Sequence, residues 1–312
     1  MEGWIARSGL QAVSRERLRA LSRKSDGLGA LQTASHLGAI AATTTALIVL
    51  VPAAPWAFGP LFLAQGILIN CLYAGQHELS HWTAFRTKPL NDLVGHLFGF
   101  ATLNPFLTDR WLHLAHHRAT HDLARDPEIM GTGPYTLTSY GLDLSGVGFW
   151  FRRVTGILRT AAGQGLGACY WLDARQRRIV VLEARVHVAL WAAVAAASVL
   201  LRTWLAVELW IAPMFATKWF HQLQNTGEHT GLPHDPDIFR NTRTLTGPPV
   251  MHWLMWNMSW HTAHHCFPAV PFHALPALDC EIRAGLDRPI PTRGYIEAQM
   301  DIFAGLKAGG RQ

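Results

Sequence analysis

Residues 77–81, His77-Glu78-Leu79-Ser80-His81, read H-E-x-x-H: two histidines one helical turn apart with a glutamate between them. In zinc proteases such a pair holds the metal and the glutamate is the general base, but the same spacing suits several transition metals. Two further clusters argue against the protease. His113, His116 and His117, and again His261, His264 and His265, spell H-x-x-H-H, which on a helix sets the first histidine one turn from the other two. With 17 histidines in 312 residues, one such pattern arises about 0.05 times by chance. Neutral imidazole binds iron, copper, nickel and zinc, and two boxes plus His77 and His81 offer more ligands than a single ion accepts. The count points to two metals. A zinc hydrolase would leave the repeated boxes unexplained, and Glu78 then reads as a group that orients a histidine through its ring N–H.

Something must bring three distant boxes together, and the composition says what. Hydrophobic residues make up 49% and charged residues only 15%, which is apolar for a soluble chain of this length and points to a membrane. Four stretches predict spans: 34–51 and 57–75, joined by a turn around Pro52 and Pro55, then 186–201 and 203–220, separated near Arg202. The arginines lie between the pairs and the two tight loops hold one basic residue between them, so the N-terminus, the middle block and the C-terminal region are expected on the cytosolic side. The segment 93–107, with His96, two glycines and Asn104-Pro105, is too short and polar to cross and reads as re-entrant or interfacial. Residues 142–171, with aromatics beside Arg152 and Arg153, read as interfacial.

The predicted architecture is therefore all-α and integral to a membrane: four transmembrane helices in two hairpins, with interfacial helices and a cytosolic cap that holds the boxes. It is one domain over 1–312, made of a basic interfacial segment (1–30, with Arg7, Arg15 and Arg17), a first hairpin (34–75), a block carrying boxes 1 and 2 (76–185), a second hairpin (186–220) and a cap with box 3 (221–312). The formal charge of +6 is scattered without a lysine-rich run, so nucleic acid is not an expected partner. Cys71, Cys169, Cys266 and Cys280 lie far apart with no C-x-x-C pair, so neither a disulfide framework nor a zinc ribbon is indicated.

With these residues on the page, the chain resembles the membrane fatty-acid desaturase and hydroxylase superfamily, whose members carry one H-x(3,4)-H and two H-x-x-H-H boxes around a non-haem di-iron centre. The segment "RWLHLAHHRATHDLARDPE" (110–128) looks like the neighbourhood of the second box, and "HTAHHCFPAVPFHALPAL" (261–278) is similar to the third. "NTGEH" (225–229) matches the asparagine and extra histidine of stearoyl-type desaturases, whereas the three-residue spacer of the first box is that of front-end and methyl-end desaturases and several ketolases. The resemblance covers residues 57–285. It implies His77, His81, His113, His116, His117, His229, His261, His264 and His265 as metal ligands, with Asn225 acting through water and Gly227 allowing a bend between Asn225 and His229. His229 and Asn225 rest on the resemblance; the other eight follow from the boxes.

Around these, Glu78, His121, Asp122, Asp126, Glu128 and His252 are candidates to orient ligands, although Asp126-Pro127-Glu128 also suits an ordinary turn. His36, His96 and His187 sit in or near spans and read as core histidines rather than ligands. The implied function is removal of hydrogen from an unactivated methylene of a lipid-like substrate, where no acidic proton exists and acid–base side chains are powerless, so O2 and two iron ions must supply the redox chemistry. Zinc can replace iron on overexpression. A fatty acyl desaturase is the first expectation; a lipid hydroxylase or carotenoid-type ketolase is the alternative, and a membrane zinc metalloprotease ranks below both. The spans would enclose a kinked apolar tunnel opening near the bilayer surface. With no H-P-G-G haem segment and no ferredoxin-like cysteine spacing, electrons are expected from a separate ferredoxin, rubredoxin or cytochrome-type protein. The implied location is a bacterial inner membrane, with both termini and the active site cytosolic.

Overall fold

The computed structural model describes residues 13–130 and 134–309. Helix α1 (Arg15–Leu21) begins at Ser14, whose hydroxyl accepts from the Arg17 N–H, and α2 (Asp26–Val49) begins at Ser25, which accepts from the Leu28 N–H. The chain reverses through a short turn at Pro55–Ala57 and returns as α3 (Phe58–Ser80). Next come α4 (Lys88–Ala101), α5 (Phe106–Ala119), α6 (Leu137–Leu144), α7 (Val147–Ala161) and the long α8 (Ala174–Leu200). A five-residue π-turn, Val207–Ile211, leads into α9 (Ala212–Ala216) and α10 (Lys218–His229). The C-terminal cap holds α11 (Ile238–Asn241), β1 (Thr244–Thr246), α12 (Pro249–Leu254), α13 (His261–Cys266), α14 (Leu275–Gly285), β2 (Thr292–Gly294) and α15 (Tyr295–Lys307). The two strands pair in parallel, Thr244 opposite Thr292, so the all-α expectation holds apart from this one clasp.

Among the described residues, two helical segments, Pro55–Ser80 and Ala174–Leu200, are long and apolar enough to cross a membrane. The second starts 12 residues before the expected span at 186 and carries Glu183 and Arg185 in its first half. The first expected span, 34–51, falls in α2 up to Val49 and runs two residues past its end; His36 and Thr43-Thr44-Thr45 dilute the apolar run. The fourth, 203–220, is not one regular helix. Pro213 has no N–H for the carbonyl of Leu209, and Gln65 on α3 donates to that carbonyl at 2.9 Å instead. Asn70, one turn further along α3, donates to the Met214 carbonyl at 2.8 Å and to the Thr217 hydroxyl at 3.0 Å. The backbones approach so closely that a Cβ on Gly66 would lie 2.0 Å from the Pro213 carbonyl oxygen.

The segment 93–107 forms most of α4 and a tight reversal at Thr102–Asn104, with Leu103 in the left-handed region (φ 52°), that sends α5 back beside α4. Fourteen residues at about 1.5 Å each fall short of the thickness of a bilayer core. Residues 142–171 contain α7, which packs on α8 and leaves Phe151 and Leu158 exposed. In the N-terminal segment, α1 docks on α14 through an Arg17–Glu281 ion pair at 2.7 Å; Arg7 lies outside the described residues. The core sits where the second half of α3 meets α4 and the cap, around the fully buried Leu72, Phe98, Trp256 and Leu275.

Candidate metal centre

Four helices aim their C-terminal ends at one point. His77 lies in the last turn of α3 with His81 at its end; His116 and His117 lie in the last turn of α5; His229 closes α10; His264 and His265 lie in the last turn of α13. Each helix end carries partial negative charge and unpaired carbonyls, so four converging ends favour a cation before any side chain is counted. Other elements hold these helices there. Glu183 on α8 caps the start of α5, accepting from the Leu107 N–H at 2.8 Å and the Thr108 N–H at 3.0 Å. Arg110 on α5 pairs with Asp92 at 2.6 Å and lies over the Trp82 ring at 4.1 Å, which ties α5 to the end of α3.

The nine expected histidines separate into two groups. In the first, His77, His81, His113, His117 and His264 bring ligand nitrogens within 4.8 Å of one another; in the second, His116, His229 and His265 do the same. His261 joins the second, its Nε2 3.0 Å from that of His229 and 3.1 Å from that of His265. Each H-x-x-H-H box is divided between them. His113 and His117, at i and i+4, face the first group while His116 faces the second; His261 and His265 face the second while His264 crosses to the first. Neighbouring residues on a helix point about 100° apart, which is how one box reaches two centres. The groups adjoin where His117 stacks on His265 with centroids 4.2 Å apart.

A metal ion fits this geometry. His113 Nε2 is approached at 2.8 Å by the Nε2 atoms of both His81 and His117, and His261 Nε2 by two others in the same way. A neutral imidazole nitrogen carries either one hydrogen or one lone pair, so it cannot pair well with two neighbours, whereas a shared cation satisfies them all. Adjacent ligand atoms bonded at about 2.1 Å lie roughly 3.0–3.4 Å apart, near the observed separations. Burial first, and then neighbouring histidines, hold the pKa values of His113, His117, His229, His261, His264 and His265 well below the usual 6.5. These rings stay neutral, the form that binds metal. His116 differs: burial pulls it down, but Glu128 and Asp126 prevail and raise it to about 9.

The outer ends of several rings are held. His116 Nδ1 lies 2.9 Å from both Asp126 oxygens, and Asp126 also accepts from the backbone N–H of His121 at 2.8 Å, so one buried carboxylate fixes ring and loop together. Glu128 stands 3.8 Å from His113 and 3.7 Å from His116. The carbonyl of Asn241 accepts from His229 at 2.9 Å, and Thr120 meets His265 at 3.3 Å. Glu228, which sequence reasoning missed, stands 3.2 Å from His261 Nδ1, and Gln224 donates to it. Its signal was available: an acid one residue from a candidate ligand.

Other expected contacts run elsewhere. Glu78 is fully buried and accepts from the Phe272 N–H at 3.0 Å, bracing the chain after box 3 rather than orienting a histidine. Asp122 accepts from the Ala124 N–H and pairs with Arg125, an ordinary turn. His121 pairs with the Pro233 carbonyl at 3.0 Å, with its ring 5.3 Å from that of His229. His252 pairs with Ser259 at 2.7 Å and stacks on Trp260, in a cleft of about 350 Å³ beside box 3. Asn225 is exposed, on α10 one turn before His229. Gly227 provides no bend: α10 runs straight through it, and a Cβ there would meet Leu245 Cδ1 at 3.0 Å. A cavity of about 760 Å³ lies between α7, α8 and residues 203–211; Trp191, Trp204 and Trp210 line it and no histidine does.

Comparison with known proteins adds the chemistry of relatives. A family described as Fatty acid desaturase matches residues 54–295. The chain is similar to an sn-1 oleoyl-lipid 12-desaturase of a Picosynechococcus species, 23% identical over 282 residues covering 84% of this chain and 79% of that protein. A protein of the same description from Anabaena variabilis is 25% identical over 241 residues, 71% of this chain and 68% of that one. An sn-1 acyl-lipid omega-3 desaturase (ferredoxin) of a Nostoc species is 36% identical over 72 residues, 23% of this chain and 20% of its own.

Proposed function

The chain belongs to the fatty acid desaturase family, and we propose on that footing that it is an O2-dependent desaturase acting on the acyl chain of a membrane lipid. The observation that carries this reading is the separation of nine histidines into two adjoining groups of ring nitrogens at four helix ends. Two iron ions held there would supply, with O2 and electrons, the oxidising power that side chains lack. His77, His81, His113, His117 and His264 would hold one, and His116, His229, His261 and His265 the other. Asn225 would reach the second through water. Asp126 and the Asn241 carbonyl keep the Nδ1 hydrogens of His116 and His229 in place, and Glu228 stands 3.2 Å from Nδ1 of His261, so each ring offers Nε2 inward. The fully buried Glu78, held by the Phe272 N–H, is poorly suited to act as a protease base.

The remaining steps follow from the same reading. The substrate would enter from the membrane along the exposed apolar faces of α2, α7 and α8. Four spans, with both termini and the histidines on the cytosolic side of a bacterial inner membrane, are part of the proposal, as is a separate ferredoxin-type electron donor of the kind that names the Nostoc relative. Mass spectrometry of lipids from cells with and without the protein, grown under oxygen, tests the reading. A product two mass units lighter than its precursor is expected. A product heavier by about sixteen would make the chain a hydroxylase, and an unchanged lipid profile with one redox-silent zinc per chain would overturn the proposal.

A further inference from the structure

The geometry points to a separate binding site for a divalent transition metal of the zinc type, formed by His96, Glu183 and His187 and sharing no residue with the nine-histidine centre. One ring nitrogen from each histidine and one carboxylate oxygen lie within 4.8 Å of one another. Glu183 and His187 stand one turn apart on α8 and face His96 on α4, so the site joins two helices that are distant in sequence. His96 Nδ1 is 3.5 Å from Glu183 Oε1. That is longer than a hydrogen bond and close to the roughly 3.4 Å that separates two ligands of a tetrahedral ion bonded at about 2.1 Å.

The groups around the site leave room for an ion in charge and in bonding. Glu183 is 6% exposed and His187 4%. His187 Nδ1 is buried without a hydrogen-bond partner, a cost that a native interior rarely leaves standing. Glu183 Oε2 is occupied by the Thr108 N–H and hydroxyl, but Oε1 accepts only from the Leu107 N–H, which leaves a lone pair free on the oxygen nearer His96. Two neutral imidazoles and a carboxylate form a donor set that zinc accepts with one position left for water. Arg110, which packs on the same Phe106 ring as His96, is already paired with Asp92 at 2.6 Å. The His96 side chain is 44% exposed and gives the ion a way in.

The same carboxylate caps α5, the helix that carries box 2. An ion on Glu183 therefore locks α4, α8 and the start of α5 into one frame, away from the redox centre but mechanically coupled to it.

Zinc is the probe, and full-length protein in detergent is the sample. Wild type, His96→Ala and His187→Ala are equilibrated with excess zinc, desalted and analysed for metal, and their unfolding temperatures are compared with and without zinc. Each variant is expected to retain one zinc fewer than wild type and to lose part of the zinc-dependent rise in unfolding temperature, while His96→Cys keeps both. The readout is a difference between wild type and variant, so it does not depend on what the nine-histidine centre holds. Equal zinc in wild type and His96→Ala overturns the inference. So does loss in His96→Ala alone with His187→Ala unchanged, which would mean binding by a surface histidine. Because His96 is exposed, its replacement leaves little cavity, and the test stands even if His187→Ala fails to fold.

Discussion

His229 closes the second histidine group, its Nε2 3.0 Å from that of His261 and its Nδ1 held by the Asn241 carbonyl at 2.9 Å. If it is a ligand, His229→Ala removes about one metal per chain and abolishes turnover, whereas Glu228→Gln, acting only through His261, costs roughly 10–100-fold in affinity or activity. Metal analysis of the two variants, side by side, checks this; a full metal complement in His229→Ala with near-normal turnover would leave an eight-histidine site. Titration of the metal-free protein gives a second check. Six histidines (His113, His117, His229, His261, His264 and His265) are held below the usual 6.5. Unfolded chains therefore take up protons below that value that these rings refuse, and stability falls as pH drops. His116, raised to about 9, runs the other way: its contribution is full below 6.5 and is lost as pH climbs through 9. With His116 and the buried Glu228 opposing at least six histidines, the unfolding temperature of the metal-free protein should fall between about pH 7.5 and about pH 5.5. A flat or rising profile contradicts it.

Among the elements, α3 does most of the positioning. Its Gln65 and Asn70 supply the bonds that the broken helix around Pro213 lacks, and its Gly66 lets the two backbones touch. A methyl group at Gly66 would sit 2.0 Å from the Pro213 carbonyl oxygen, so Gly66→Ala must push α9 and the attached α10 away from α3. Overpacking of this kind costs about 1–3 kcal/mol or more, and here it also separates His229 from His77. We expect a lower unfolding temperature together with reduced metal occupancy in Gly66→Ala; normal values of both would show that the contact is soft. This break was not readable in the residues 203–220, whose apolar run suggested one plain span. A proline breaks the helical bonding at its own position, but the partner that makes this break tolerable, Gln65, lies 144 residues before Leu209 on another helix.

For the molecule as a whole, the proposed topology puts the tip of the α2–α3 hairpin and the α8–α9 connection on the side of the membrane opposite the histidines. Single cysteines at Ala53, Arg86, Arg202 and Glu297, in a background lacking the exposed Cys280 and the half-exposed Cys169, should divide into two classes toward an impermeant thiol reagent. Ala53→Cys and Arg202→Cys are expected to react from one side, and Arg86→Cys and Glu297→Cys from the other. Labelling at positions 53 and 86 from the same side would sink the four-span arrangement.

The spacing of His77, His81 and the two H-x-x-H-H boxes determined by itself that this chain gathers metal-binding imidazoles, because i, i+3 and i+4 positions share a helix face and chance does not repeat such a pattern. The apolar composition likewise determined that long apolar helices are present, one of which carries His77 at its end. Which nitrogen joins which group was decided only by tertiary structure: the division of each box depends on how α5 and α13 are rotated about their axes, and nothing within either box specifies that rotation. The same holds for Glu228, whose neighbour is 33 positions away, for Glu78, which in sequence reads as orienting a histidine and instead holds a backbone N–H, and for His96 and His187. Alone in sequence, those two read as core histidines. Only the packing of α4 against α8 sets them around one carboxylate, because side chains distant in the chain meet through the helix-to-helix contacts that burial of apolar surface selects.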